Sequence, residues 1–167
     1  GKGVISFFQS NVIAEIISIL NPTLAFNAEQ FLSLPLVDKV FSREKESELL
    51  IEISKADSGT SESFWEFTNM KLVNNKSPYL SEVWRLWSDE QKEIISKMRM
   101  LEESNNRFFI EAYGLQNELS PDVPLEQITL TVNPKYRYGG NLSDADLNKR
   151  FQSDTLAELI SYAIGCM

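Results

Sequence analysis

The stretch NPKYRYGG, Asn133 to Gly140, gathers the residues of this chain best suited to chemistry. Its opening departs at one position from Asn-Pro-Pro-Tyr, the tetrapeptide that holds the amine of an extruded adenine while a methyl group is transferred to N6. That reaction needs a side-chain carbonyl and a backbone carbonyl for the amine, a proline pair to shape the turn, and an aromatic ring to stack on the base. Asn133, Pro134 and Tyr136 supply three of these elements. Lys135 stands where the second proline belongs and carries a cation to the place of the amine. No glycine-rich strand-to-helix turn for a methyl donor precedes the tetrapeptide, and the GKG at the start of the chain has neither a strand before it nor the right spacing. A catalytic role is therefore not expected here.

The same residues suit contact with nucleic acid. Lys135 and Arg137 alternate with Tyr136 and Tyr138, which sets cations toward phosphates and rings toward bases or sugars. Arg107 is a further cation, and Asn105 and Asn106 beside it are polar candidates for the same contact. The competing structural reading packs the tyrosines on a long helix and gives Gly139 and Gly140 to a turn.

Other chemistry is excluded by what is missing. The 167 residues contain no histidine, which removes Ser-His and Cys-His nucleophilic pairs and histidine-bearing zinc sites. The lone cysteine, Cys166, forms neither an intrachain disulfide nor a thiolate cluster. Glu102 with Glu103, and Asp144 with Asp146, have the atoms to bind a metal but read as a solvated helix face and a helix cap. Pro121-Asp122 lacks the Glu-x-Lys partner of a nuclease, because no lysine stands two residues after Glu126. There is no Walker loop. Trp65, Trp84 and Trp87 read as core residues rather than as a ligand box. A formal charge of −8 argues against a protein that holds nucleic acid by charge alone, so any such contact is local. No signal peptide is recognisable, and no run reaches the roughly 20 apolar residues of a membrane span. The expected setting is the cytoplasm, with no membrane partner.

The elements that must position these residues are mostly helical. Val12, Ile13, Ile16, Ile17 and Leu20 share one face of a helix that Pro22 ends, and the following 23–41 reads as turns, short extended pieces and a helical turn. A second helix is expected over Ser42 to Ile53, and the small polar run after it, Ser54 to Ser63, reads as a loop leading to the aromatics Phe64 to Phe67. From Leu80 the residues Trp84, Trp87, Gln91, Ile94, Met98, Leu101, Asn105, Phe108 and Ala112 follow at alternating steps of four and three, a heptad seam. With Ser77 and Pro78 before it and Gly114 after it, this predicts one helix of about 35 residues, roughly 50 Å long. Leu115 to Gln127 is a loop, and Ile128 to Val132 (ITLTV) alternates β-branched residues as a strand does. Ser143 to Asp146 is a capping box for a last helix whose Leu147, Phe151, Leu156, Leu159, Ile160 and Ala163 are spaced for burial. The fold expected is mainly α, a helical bundle or long helical hairpin with a minor β component.

Glu103 to Gly140, ESNNRFFIEAYGLQNELSPDVPLEQITLTVNPKYRYGG, closely resembles a segment of the large adenine-specific DNA methyltransferases of the BREX phage-defence class, the PglX family. Leu156 to Met167 is similar to that family's next block, and SNVIAEIISILNPTLAFNAEQFLSLPL, Ser10 to Leu36, to a phrase in the specificity half of many restriction-modification methyltransferases. Ser54 to Phe67 resembles an acidic and aromatic block but has Ser58 where a tryptophan belongs. The resemblance implies an internal fragment of a larger enzyme. Residues 1–41 would end a specificity-like segment, and 42–167 would be a helical connector truncated at its C-terminus. The parent would bind S-adenosylmethionine and DNA and methylate an adenine. The fragment itself would carry no cofactor, metal or catalytic residue, and would reach DNA, and possible partner proteins of the defence system, through the parent. The alternative from a different class is an independent helical protein-interaction domain that pairs through the Leu80 to Phe108 seam.

Overall fold

The computed structural model describes residues 2–20, 32–60, 64–65, 67, 69–140 and 142–166. Among the described residues there are six α-helices: α1 (Lys2–Phe8), α2 (Asn11–Leu20), α3 (Glu44–Ser58), α4 (Leu80–Tyr113), α5 (Pro134–Tyr138) and α6 (Asp144–Gly165). Short 3-10 turns lie at Asp38–Arg43, Lys71–Asn74 and Leu125–Gln127. The mainly α expectation holds, whereas the minor β component has no counterpart among the described residues. Two compact units form, each from segments distant in sequence: 1–51 with 99–123, and 52–98 with 124–167.

In the first unit, α1, α2 and the C-terminal part of α4 enclose Phe7, Val12, Ile13, Leu34, Phe109 and Ile110. The Phe7 ring lies 5.4 Å from Phe109 and stacks at 5.7 Å on Tyr113. α2 starts where Ser10 Oγ accepts from the Ile13 amide at 3.4 Å, satisfying one of the helix's orphan donors. It occupies the span predicted from its apolar face; residues 21–31, including the proline expected to end it, lie outside the described residues. α1 was not anticipated, since a glycine at its second position and a short length hide its period.

The predicted long helix is α4, of 34 residues. Ser77 Oγ accepts from the Tyr79 amide and donates to Glu82 just before it begins. At its end Gly114, at φ +72°, lets the Leu115 amide reach back to Ile110 O at 2.9 Å and its own amide to Glu111 O at 3.3 Å. This pair of bonds is a Schellman stop, with glycine where L side chains are strained. The heptad seam is only approximate. The residues buried are Val83, Gln91, Met98, Asn105, Asn106, Phe109 and Ile110, while Leu80 is half exposed. An unsupercoiled helix drifts about 20° per heptad, so its buried face runs ahead of a strict 3.5-residue period. From Met98 that drift reaches Phe109 in one direction and Val83 in the other.

In the second unit, α3 runs on through Asp57 to Ser58, and the expected loop begins only at Gly59. α6 is capped as predicted, with the Asp146 amide donating to Ser143 Oγ at 3.2 Å. Its fully buried residues are Leu147, Phe151 and Thr155, and Ile160, expected inside, is 63% exposed. The ITLTV stretch is not a strand. Ile128, Leu130 and Val132 are buried and alternate with exposed Thr129 and Thr131, so the period of two reports real burial. No strand pairs with it among the described residues. Instead the Thr131 and Val132 amides donate to the Asp57 carboxylate at 2.7 and 3.3 Å, and Thr131 Oγ1 donates to it at 3.0 Å. A side chain does the work of a neighbouring strand.

Candidate nucleic-acid interface

NPKYRYGG folds as a single helical turn, α5, rather than as an open turn. Asn133 is its N-cap, accepting from the Lys135 amide at 3.1 Å, and Pro134 takes the first helical position, where its missing N–H is no loss. Gly139 and Gly140, at φ +56° and +75°, end it. The Asn133 amide nitrogen also donates to Leu125 O at 2.7 Å and Ile128 O at 2.9 Å, and the residue is 2% exposed. Its oxygen and both of its N–H donors thus have partners within the fold. That side chain has neither the access nor the free carbonyl that an adenine amine needs.

The charges of α5 are largely answered. Lys135 Nζ lies 3.1 Å from Asp144 and 3.9 Å from Glu126, and Arg137 pairs with Glu158 at 2.6 Å. Burial works against the Arg137 charge, but the Glu158 hydrogen bond and charge outweigh it and raise its pKa. The Tyr138 hydroxyl donates to Asp154 at 2.7 Å, and Arg150 lies 4.5 Å above its ring. Burial first, then that hydrogen bond, pushes Tyr138 up to about 12, so it stays a neutral donor. Tyr136 is half exposed. An incoming phosphate must compete with carboxylates for each of these cations.

Beside this edge the second unit contains a cavity of about 520 Å³, lined among others by Tyr136, Arg137, Trp87, Phe151, Lys71 and Glu158. Trp87 and Phe151 lie nearly parallel with centroids 5.7 Å apart, and Trp84 tilts against both. Trp87 therefore serves packing and the cavity wall together and Trp84 packs against it, whereas Trp65 is 98% exposed and belongs to no core. Lys71 and Glu158 escaped the sequence reading, and Phe151 was read only as core, because they reach the NPKYRYGG edge through tertiary folding, which no local period reports.

The remaining candidates lie in the first unit. Arg107 is exposed on α4 and makes no ion pair among the described residues. Asn105 is fully buried, with Nδ2 donating to Ser6 O at 2.8 Å and Oδ1 accepting from Ser6 Oγ. Asn106 is 5% exposed; its Oδ1 accepts from the Asn11 amide at 2.9 Å, serving an orphan donor at the start of α2, and its Nδ2 donates to Pro121 O. Both asparagines are thus taken up by the fold. Gln91 turns back on its own helix, donating to Trp87 O at 3.3 Å.

Glu102 and Glu103 have different surroundings. Glu103 pairs with Arg99 at 2.8 Å and accepts from the Val123 amide at 3.3 Å. Glu102, between Met98 and Asn106 on the same helical face, is pushed up by burial from 4.5 to about 7. Between those values the folded chain retains a proton that the unfolded chain releases, so stability falls as pH rises through this window and the loss is complete above it. The full shift corresponds to about 3 kcal/mol; allowing for the group's partial exposure, about 1–2 kcal/mol is expected. Glu102→Gln should raise stability by that amount at pH 8 and leave it unchanged at pH 4, as read by urea denaturation at both values. Among the described residues no group of three or more acids or cysteines is placed to hold a metal, and no helix is long and apolar enough to cross a membrane.

No protein-family model matches the chain. Over 163 residues, 98% of its length, it is 31% identical to the adenine-specific methyltransferase BrxX of Escherichia coli O9:H4 (strain HS). Over 124 residues, 71% of its length, it is 32% identical to the adenine-specific methyltransferase PglX of Lacticaseibacillus casei (strain Zhang). The chain spans 13% and 10% of these two relatives.

Proposed function

The chain is related to a part of the BREX-type adenine-specific methyltransferases, and from that premise we propose that it is a non-catalytic connector of such an enzyme, associated with DNA recognition. The observation that carries this reading is Asn133: in the one tetrapeptide that resembles a methylation motif, the amide is buried and bonded within the fold. Among the described residues the positive-φ glycines follow helices rather than strands, so they do not form the glycine-rich strand-to-helix turn expected of a methyl-donor site. S-adenosylmethionine and the transfer of methyl to adenine N6 belong, in this reading, to other parts of a parent enzyme. That parent would act in the cytoplasm in phage defence or restriction-modification, with DNA and other defence proteins as partners. Residues 1–41 would close a specificity segment and 42–167 form the connector.

DNA contact falls to the accessible candidates, Arg107, Lys135, Tyr136, Arg137 and Tyr138. Changing Lys135 and Arg137 together to Glu in the full-length enzyme should weaken DNA binding by about 3- to 10-fold at low salt and flatten its salt dependence. The effect is modest because each cation already has an acid beside it. Unchanged affinity at low salt would remove both from the contact surface. The rival reading, a domain pairing with a second chain through the α4 seam, is disfavoured because Met98 and Asn105 on that seam are already buried within this chain.

A further inference from the structure

We propose that the cavity of the second unit binds a nucleobase carrying a phosphate. Its wall offers aromatic surface, the half-exposed ring of Tyr136 and the partly buried ring of Trp87, of the kind on which bases stack irrespective of sequence. Two cations face the same space. Lys71, exposed on its 3-10 turn, makes no ion pair among the described residues, and Arg137 pairs there with Glu158. Lys71, Arg137 and Glu158 leave the lining one positive charge in a chain whose net charge is −8, so the cavity selects for an anion against the trend of the molecule. A purely apolar ligand would leave Lys71 unanswered, and an inorganic anion would leave Tyr136 and the open part of Trp87 uncovered. A base with its phosphate answers both. Glu158, on the same wall, is an acceptor for a base amino group. The volume, about 520 Å³, lies within the range of small-molecule sites. This deepens the DNA-recognition reading, on which it rests for the natural source of the base.

The ligand has two possible sources, a free nucleotide or an unpaired base of a DNA strand. The test is tryptophan fluorescence of the 167-residue chain in a Trp65→Phe background, which leaves Trp84 and Trp87 as reporters. Deoxyadenosine monophosphate should quench saturably and inorganic phosphate should not. Lys71→Glu should weaken the nucleotide about tenfold, a loss of 1.4 kcal/mol, with an unchanged melting temperature. Lys71→Ala serves as the milder variant if charge reversal disturbs folding. A ten-nucleotide single strand that binds more tightly than the mononucleotide identifies DNA as the source, and equal affinity identifies a free nucleotide; both outcomes support the site. Absence of quenching by nucleotide and strand at millimolar concentration, or binding indifferent to Lys71, overturns it. If DNA binding by the full-length enzyme weakens on changing Lys135 and Arg137 but these ligands leave the cavity empty, the connector reading stands and the cavity proposal falls.

Discussion

Asp57→Ala should destabilise the second unit by about 3–5 kcal/mol. Asp57 is 7% exposed in the last turn of α3, where the helix dipole disfavours a negative charge. It is held there by three donors: the Thr131 amide, the Thr131 hydroxyl and the Val132 amide. Alanine removes all three bonds and leaves the amide of Val132, a residue only 6% exposed, without an acceptor. Bonds to a charged acceptor contribute about 1.5–3 kcal/mol each, and an orphaned buried donor adds a penalty of similar size. Asp57→Asn should lose about half as much, since one oxygen remains but an NH2 group now faces a donor. Thr131→Val, which removes only the hydroxyl bond, should cost about 1 kcal/mol. All three tryptophans lie within residues 52–98, so urea denaturation followed by their fluorescence reads this unit directly. A loss below 1 kcal/mol for Asp57→Ala would mean that the amides of residues 131 and 132 find water instead.

Asp57 also marks where sequence reading stops. The alternation of ITLTV reported the burial of Ile128, Leu130 and Val132, because side-chain direction follows from an extended backbone alone. Whether such a backbone becomes a strand depends on what accepts its amides. Here the acceptor is a carboxylate 74 residues earlier. The helices were more legible because their signals are local. Ser143, Gly114 and the apolar face of α2 each act within one or two turns, and the structure follows them. α3 ran past its expected end because small polar residues are weak stop signals unless a glycine follows, and the glycine comes at 59.

The candidate site was legible in part for the same reason. Tyr136 and Arg137 are neighbours in sequence, and both face the cavity. Lys71, Trp87, Phe151 and Glu158 join them from a 3-10 turn, α4 and α6, which no spacing in the chain connects. The asparagines were drawn toward DNA by residue type. Burial decided otherwise, and burial at positions 105 and 106 depends on where α1, α2 and the 120–121 segment pack.

The consequence is sharpest at Asn105, where substitution should cost about 3 kcal/mol with alanine and more with aspartate. Asn105 and Ser6 are both fully buried and bond reciprocally across 99 residues: the Ser6 hydroxyl donates to Asn105 Oδ1, and Asn105 Nδ2 donates to Ser6 O. Alanine leaves a cavity and two Ser6 oxygens facing it. Leucine fills the space but takes the acceptor from the Ser6 hydroxyl and leaves Ser6 O with only the Gln9 amide, so it should recover only part of the loss. Aspartate replaces the Nδ2 donor by a charged oxygen against Ser6 O, which adds repulsion and desolvation of an unpaired charge. Ser6→Ala alone should cost about 1–2 kcal/mol, because the Asn105 to Ser6 O bond survives. In a double-mutant cycle the pair should therefore lose about 1–2 kcal/mol less than the sum of the single changes. Thermal unfolding followed by far-ultraviolet circular dichroism supplies the four values. Strict additivity would reduce Asn105 to a space-filling residue. Coupling of the expected size makes it the polar contact that fixes the register of α1 against α4 in the first unit, a role it cannot combine with touching DNA.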